Sequence, residues 1–115
     1  AYFFEINSTV AENLKNNCIK ICNNSNFEIN ITDIINCNFK NVNKKISIVF
    51  IDPPYNNDPF EKILLKLSQS KILVNNAIIV IETSKKNSLS ISADYLIFNE
   101  RIYGKTKVYF LIKNV

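Results

Sequence analysis

Apolar and polar residues alternate along this chain in a way that marks its elements one after another. Ala1 to Ile6 is a short apolar run ending in Glu5 and Asn7, which predicts a buried strand. Thr9 and Glu12 then stand at capping-box spacing, and Val10, Leu14, Cys18 and Ile21 follow at near-helical intervals, so a helix comes next. The Asn23–Asn26 cluster breaks it. Phe27 to Ile31 alternates with Glu28 and Asn30 as a second strand and runs out at Thr32-Asp33, with a short helix or turn between Ile34 and Phe39. Ile46 to Ile51 is almost continuously apolar, the pattern of a central parallel strand covered on both faces. It stops abruptly at Asp52-Pro53-Pro54-Tyr55.

Asp58, Pro59 and Glu61 form an N-cap, a first-turn proline and a capping-box partner for a second helix. Phe60, Ile63, Leu64 and Leu67 fall on one side of that helix. Ala77 to Ile81 is another central-strand run, ending at Glu82-Thr83-Ser84. Tyr95 to Phe98 and Val108 to Ile112 are strands flanking a basic connection that holds Gly104, the single glycine. Strand–helix alternation closed by two neighbouring strands predicts an α/β fold, its sheet mostly parallel with a C-terminal antiparallel hairpin. In such sheets ligands bind beyond the carboxyl ends of the strands. Glu5, Asp33, Asp52 and Glu82 all stand at those ends, and four acids at four strand ends make a pattern.

Composition narrows the chemistry. The chain has 115 residues, enough for one domain with one core, and no apolar run approaches membrane-spanning length. There are three cysteines, Cys18, Cys22 and Cys37, and no histidine, which speaks against a zinc site and removes serine–histidine and cysteine–histidine catalysis. The cysteines read as small, reduced, partly buried side chains. No secretory signal is visible, so a cytoplasmic location and no membrane partner are expected. The net charge is +4, which favours an anionic partner, with basic residues at Lys44–Lys45, at Lys85–Lys86 and along Arg101, Lys105 and Lys107. Each basic cluster alone is equally a solvated surface.

Asp52-Pro53-Pro54-Tyr55 carries the strongest chemical signal. Two prolines in succession remove two amide donors and restrict the backbone, so the neighbouring carbonyls are rigidly held. A carboxylate and a fixed carbonyl together accept both hydrogens of a planar NH2 group, which localises the nitrogen lone pair and aims it at an electrophile. Tyr55 offers a ring on which a flipped base can stack. The plain alternative is a strand-ending turn stiffened by proline.

This segment resembles motif IV of class I methyltransferases that modify exocyclic amines. The chain as a whole resembles the RsmD-type family, which methylates guanine N2 in bacterial small-subunit (16S) ribosomal RNA. The likeness covers Phe3-Phe4-Glu5, Thr32-Asp33, Val49 to Tyr55, Ile79 to Glu82 and Arg101-Ile102-Tyr103-Gly104-Lys105-Thr106. It implies a Rossmann-like class I methyltransferase sheet and S-adenosyl-L-methionine as cofactor, with no metal. Small-subunit rRNA or the small ribosomal subunit is the implied partner. It implies that Glu5 accepts the cofactor ribose hydroxyls, that Asp33 and the Ile34 backbone face its adenine, and that Asp52 also touches the cofactor. Asp52, Pro53, Pro54 and Tyr55 would hold the target amine and base, and Glu82 and Tyr103 are weaker pocket candidates. Methyl transfer would then be a direct displacement from sulfonium to nitrogen, with positioning and desolvation as the protein's part.

Glu5 read locally is also a surface carboxylate beside a helix start, and Asp33 a helix cap. Other readings of the motif are a DNA adenine-N6 or cytosine-N4 methyltransferase and a non-catalytic nucleic-acid-binding relative. The family's glycine-rich loop after its first strand has no counterpart here. Residues 1–115 are therefore expected to be the C-terminal portion of a single catalytic domain, lacking the family's first strand. An N-terminal segment supplying that strand is expected as a partner, and the fragment alone is expected to be inactive with weak or no cofactor binding.

Overall fold

The computed structural model describes residues 1–22, 26–52 and 59–114. Its element order is β1 (Tyr2–Glu5), α1 (Ser8–Ile21), β2 (Glu28–Ile31), β3 (Ile46–Ile51), α2 (Phe60–Ser70), β4 (Leu73–Ser84), β5 (Tyr95–Tyr103) and β6 (Thr106–Lys113). The strands form two sheets, β1-β2 and β3-β4-β6-β5, and the chain divides into two compact units at residues 1–38 and 39–115.

In the first unit β1 and β2 pair in parallel, Tyr2 against Glu28 through Glu5 against Ile31. The connection is α1, whose start differs from the capping-box expectation. Asn7 is the N-cap, and its side-chain oxygen accepts from the amides of Thr9 and Val10 at 2.9 and 3.0 Å. Asparagine is as good a cap as threonine and stands two residues earlier, so the helix begins at Ser8. The buried stripe of α1 is Ala11 and Cys18, while Val10 and Ile21 are exposed. Cys22 is exposed as well, so of the three free cysteines only Cys18 is fully buried. Between Ile34 and Asn36 the chain forms a turn and no helix.

In the second unit β3 and β4 run parallel, from Ile48 against Ile78 to Ile51 against Ile81. The crossover between them contains α2, which buries Phe60, Ile63, Leu64 and Leu67 as its spacing predicts. The start of α2 is one residue later than expected: Pro59 occupies the N-cap and makes no side-chain capping bond, and Asp58 lies outside the described residues. α2 lies against the side of the sheet that buries Ala77, Ile79, Ile81, Tyr109 and Leu111.

The strands are longer than the sequence suggests. β4 begins at Leu73, well before Ala77, and passes through Asn75 and a left-handed Asn76 (φ 64°), where the pairing with β3 slips between Ile46 and Ile48. Asn75-Asn76 thus marks an irregularity inside a strand, where asparagine tolerates the positive φ. Glu82 belongs to the strand itself and pairs with Val108. The basic stretch after Phe98 is a hairpin arm: β5 and β6 pair up to Tyr103 against Thr106, with a register shift between Ile97 and Asn99. Only Gly104-Lys105 turns the chain, with Gly104 at φ +60° and Lys105 at no positive φ, the pattern of a type II′ hairpin turn.

β3 also departs from expectation. Among the described residues its outer edge pairs with no strand, and on the sheet side away from α2 Ile48 and Phe50 are 54% and 77% exposed. A continuous apolar run cannot distinguish a strand buried on both sides from one whose second layer is not present. Leu96 and Phe98 are exposed on that side too, with the Phe98 and Phe110 rings 6.1 Å apart.

Candidate active site

The sequence-predicted residues fall into the two units, and each unit gathers its own. In the first, the carboxyl ends of β1 and β2 meet through the Thr32 amide, which donates to the Glu5 carbonyl at 3.0 Å. Glu5 is half-buried. One carboxylate oxygen, Oε1, accepts from the Asn7 amide at 3.1 Å, and Oε2 has no partner among the described residues. Asp33 follows β2 by two residues. Its Oδ1 accepts from the Ile35 amide at 3.0 Å and its Oδ2 from Asn36 Nδ2 at 3.3 Å, while its carbonyl accepts from the Asn36 amide. Asp33 therefore closes a turn, and Ile34 lies inside that turn with its carbonyl accepting from Cys37 at 3.3 Å.

A bound cofactor's ribose needs acceptors at a strand end, and the open Glu5 oxygen fits that need. Asp33 fits through spare lone pairs, since each of its oxygens accepts one bond within the turn and can take a second. Among the described residues of this unit one buried polar atom, Asn30 Nδ2, has no partner. Asn30 pairs with Phe4, so by strand alternation it faces the side opposite Glu5 and Ile31 and does not add to that group. A 280 Å³ groove on the α1 side is lined by Ala11, Glu12, Lys15, Phe27, Ile29 and Ile31 and includes none of the predicted site residues.

In the second unit, the parallel pairing of Ile51 with Ile81 brings Asp52 abreast of Glu82 one step further on. Asp52 is exposed and Glu82 half-buried. Glu82 pairs with Val108, and Val108 with Arg101, so Asp52, Glu82, Val108 and Arg101 form one row across the sheet. Two rows further on, facing the same side, stand Ser84, Thr106 and Tyr103. Tyr103 is 59% exposed at the hairpin end. Pro53, Pro54 and Tyr55 lie outside the described residues. Asp52 was legible as an acid just past a strand end, while Glu82 lies inside β4, two residues before its end. The row that joins Asp52 to Arg101 depends on pairings between strands remote in sequence, which no local signal carries.

Among the described residues no group of three or more His, Cys, Asp or Glu side chains is placed to hold a metal ion, and no helix is long and apolar enough to cross a membrane.

Two parallel β–α–β units and a closing antiparallel hairpin, with acids near the strand ends, form an α/β arrangement that solved methylase structures share. A candidate methylase of Haemophilus influenzae superposes with a TM-score of 0.84 at 24% identity, over 99% of this chain and 72% of that one. The sequence pattern of the family described as Conserved hypothetical protein 95 matches residues 1–112, and the chain belongs to that family. This is the RsmD-type family whose likeness the motifs carry. An uncharacterized methylase of Rickettsia prowazekii is 39% identical over 72 residues, 63% of this chain and 30% of that protein. Ribosomal RNA small subunit methyltransferase D of Buchnera aphidicola is 32% identical over 108 residues, 94% of this chain and 56% of that protein. The chain thus spans about half or less of the length of these two curated relatives.

Proposed function

We propose that this chain is the C-terminal portion of a single cytoplasmic catalytic domain that methylates the exocyclic N2 amine of a guanine in small-subunit ribosomal RNA, using S-adenosyl-L-methionine. The observation that carries the reading is the family match over residues 1–112, joined to the likeness to a small-subunit rRNA methyltransferase over 94% of the chain. The placement of Asp52 directly after a parallel strand supports it, because ligands of such sheets gather at that end.

In this reading Asp52 and the Pro53 carbonyl accept the two hydrogens of the amine, Pro54 holds the corner rigid, and Tyr55 stacks on the base. Glu5 holds the ribose hydroxyls through its open oxygen, Asp33 and the Ile34 backbone face the adenine, and Asp52 borders the cofactor as well. When bound, the cofactor supplies an electrophilic methyl group on its sulfonium. The residues localise the amine lone pair, aim it and exclude water. A further segment of the protein supplies the glycine-rich turn and a strand for the edge of β3 that pairs with no strand among the described residues.

The test is methylation of unmodified small-subunit rRNA by the full-length protein, beside its Asp52→Ala variant and beside duplex DNA as substrate. Transfer to guanine N2 that falls by about 10²–10³ in kcat with Asp52→Ala is expected. Unchanged turnover removes the role of Asp52, and transfer to DNA alone replaces the RNA reading with the DNA one.

A further inference from the structure

The basic residues of the second unit are scattered in sequence and gathered in space. Lys85 and Lys86 follow the end of β4, and the Lys85 amide donates to the Lys105 carbonyl at 2.8 Å, tying that turn to the β5–β6 turn. The Lys86 amide donates to Ser84 Oγ at 3.3 Å and the Asn87 amide to the Ser84 carbonyl at 3.0 Å, so the lysine turn is closed on itself. Lys85, Lys86, Lys105 and Arg101 are all exposed, and none has a carboxylate partner among the described residues. Lys107 differs: it is half-buried, 3.5 Å from Glu100 and 4.7 Å from the Tyr109 ring centre, so its charge is already engaged.

These cations lie at the same end of the sheet as Asp52. Arg101 occupies the Asp52 row three strands away, roughly 14 Å at ordinary strand spacing. Tyr103 stands two rows further out on the same side as Arg101, followed by the Gly104-Lys105 turn. Arg101 and Tyr103 thus lie along β5, and Lys85, Lys86 and Lys105 sit beyond the ends of β4 and of the hairpin. Guanidinium and ammonium groups spaced along a path pair with successive phosphates, and an exposed ring between them takes a stacked base.

We propose that Arg101, Tyr103, Lys105, Lys85 and Lys86 form the surface that grips the sugar–phosphate backbone of a single-stranded or looped RNA segment flanking the target base. An RNA loop suits this surface better than a rigid duplex, since its bases are free to stack on Tyr103 while its phosphates follow the turn. The assignment rests on the rRNA reading and names the part of the protein that would hold that substrate.

The test is binding of unmodified small-subunit rRNA by the full-length protein across a salt series, with Lys85→Ala/Lys86→Ala/Lys105→Ala and with Arg101→Ala. The lysine change leaves the Lys85–Lys105 backbone bond in place, so folding is preserved, and an unshifted thermal midpoint checks this. The triple variant is expected to lower the slope of log affinity against log salt by about 2, at roughly 0.7 for each phosphate no longer neutralised. Affinity at a given salt falls at least tenfold, while S-adenosyl-L-methionine binding by calorimetry stays unchanged. Lys15→Ala/Lys20→Ala, in the other unit, leaves the slope as it was. Wild-type methylation of RNA with an unchanged slope in the triple variant overturns this surface and leaves the rRNA reading standing. If the wild type modifies only duplex DNA, both fall together.

Discussion

The Tyr95 hydroxyl donates to the Leu64 carbonyl at 2.6 Å, joining the first residue of β5 to the middle of α2. Both side chains are buried, Tyr95 at 1% exposure. The carbonyl belongs to a helix residue, so this bond is an additional tie, and it fixes the helix along the sheet at one point. Burial, with the adjacent Asp94 carboxylate adding to it, pushes the Tyr95 hydroxyl up to about 12 from its ordinary 10.0.

Tyr95→Phe removes the bond while keeping the ring, and is expected to cost about 1–2 kcal/mol in a denaturant titration. In the wild type, the folded form holds the proton more tightly than the unfolded chain. The contribution of Tyr95 is therefore fully present below pH 10 and is lost as pH rises through about 12. Unfolding measured from pH 9 upward should show that decline, and the Phe variant should show a shallower one.

The cap of α1 can be assigned by substitution. Asn7→Ala removes the acceptor for the Thr9 and Val10 amides and is expected to lower stability by about 1 kcal/mol. Thr9→Ala, at the position favoured by the capping-box pattern, should cost less than half of that. Equal losses in thermal melts would return the cap to Thr9.

Two left-handed positions give opposite expectations. Lys71 ends α2 at φ 58°, so Lys71→Gly should relieve strain and raise stability by about 0.5–1 kcal/mol. Gly104 sits at φ +60° with no atom within 4 Å of where a Cβ would stand, so Gly104→Ala meets no clash yet should still lose about 1 kcal/mol through its backbone alone. Chemical denaturation of the two variants separates conformational strain from packing.

Glu82 stands abreast of Asp52 and tests how far the acid row extends into the proposed chemistry. Glu82→Gln is expected to leave methyl transfer within tenfold of the wild type, against the much larger loss for Asp52→Ala. Equal losses in single-turnover rates would make Glu82 a full participant.

How much of this could be read from sequence depends on the range of the interaction. The bounds of β3 and the buried side of α2 follow from local periodicity, since Phe60, Ile63, Leu64 and Leu67 recur at helical spacing whatever the rest of the chain does. The extent of β4 did not follow: Asn75-Asn76 carries a break signal, and pairing with β3 at Leu73 and again from Ile78 carries the strand across it. The hairpin arms were underestimated for a similar reason, because charged residues such as Glu100 and Arg101 are acceptable on an exposed strand and resemble a loop in the sequence. Of the candidate site, Glu5, Asp33 and Asp52 were legible as acids at or just past strand ends, whereas Glu82 lies two residues inside the end of β4. That Asp33 engages both oxygens in its own turn, and that Lys85 meets Lys105, are products of folding which no spacing encodes.

The open flank of β3 has a bearing on how this polypeptide behaves in a tube. A strand edge that pairs with no strand among the described residues, beside bare Ile48 and Phe50, is sticky towards any extended peptide, another copy of itself included. Protein prepared as these 115 residues should therefore show light scattering that climbs with concentration, and a charged replacement such as Phe50→Lys should suppress it without loosening the opposite, α2-packed side.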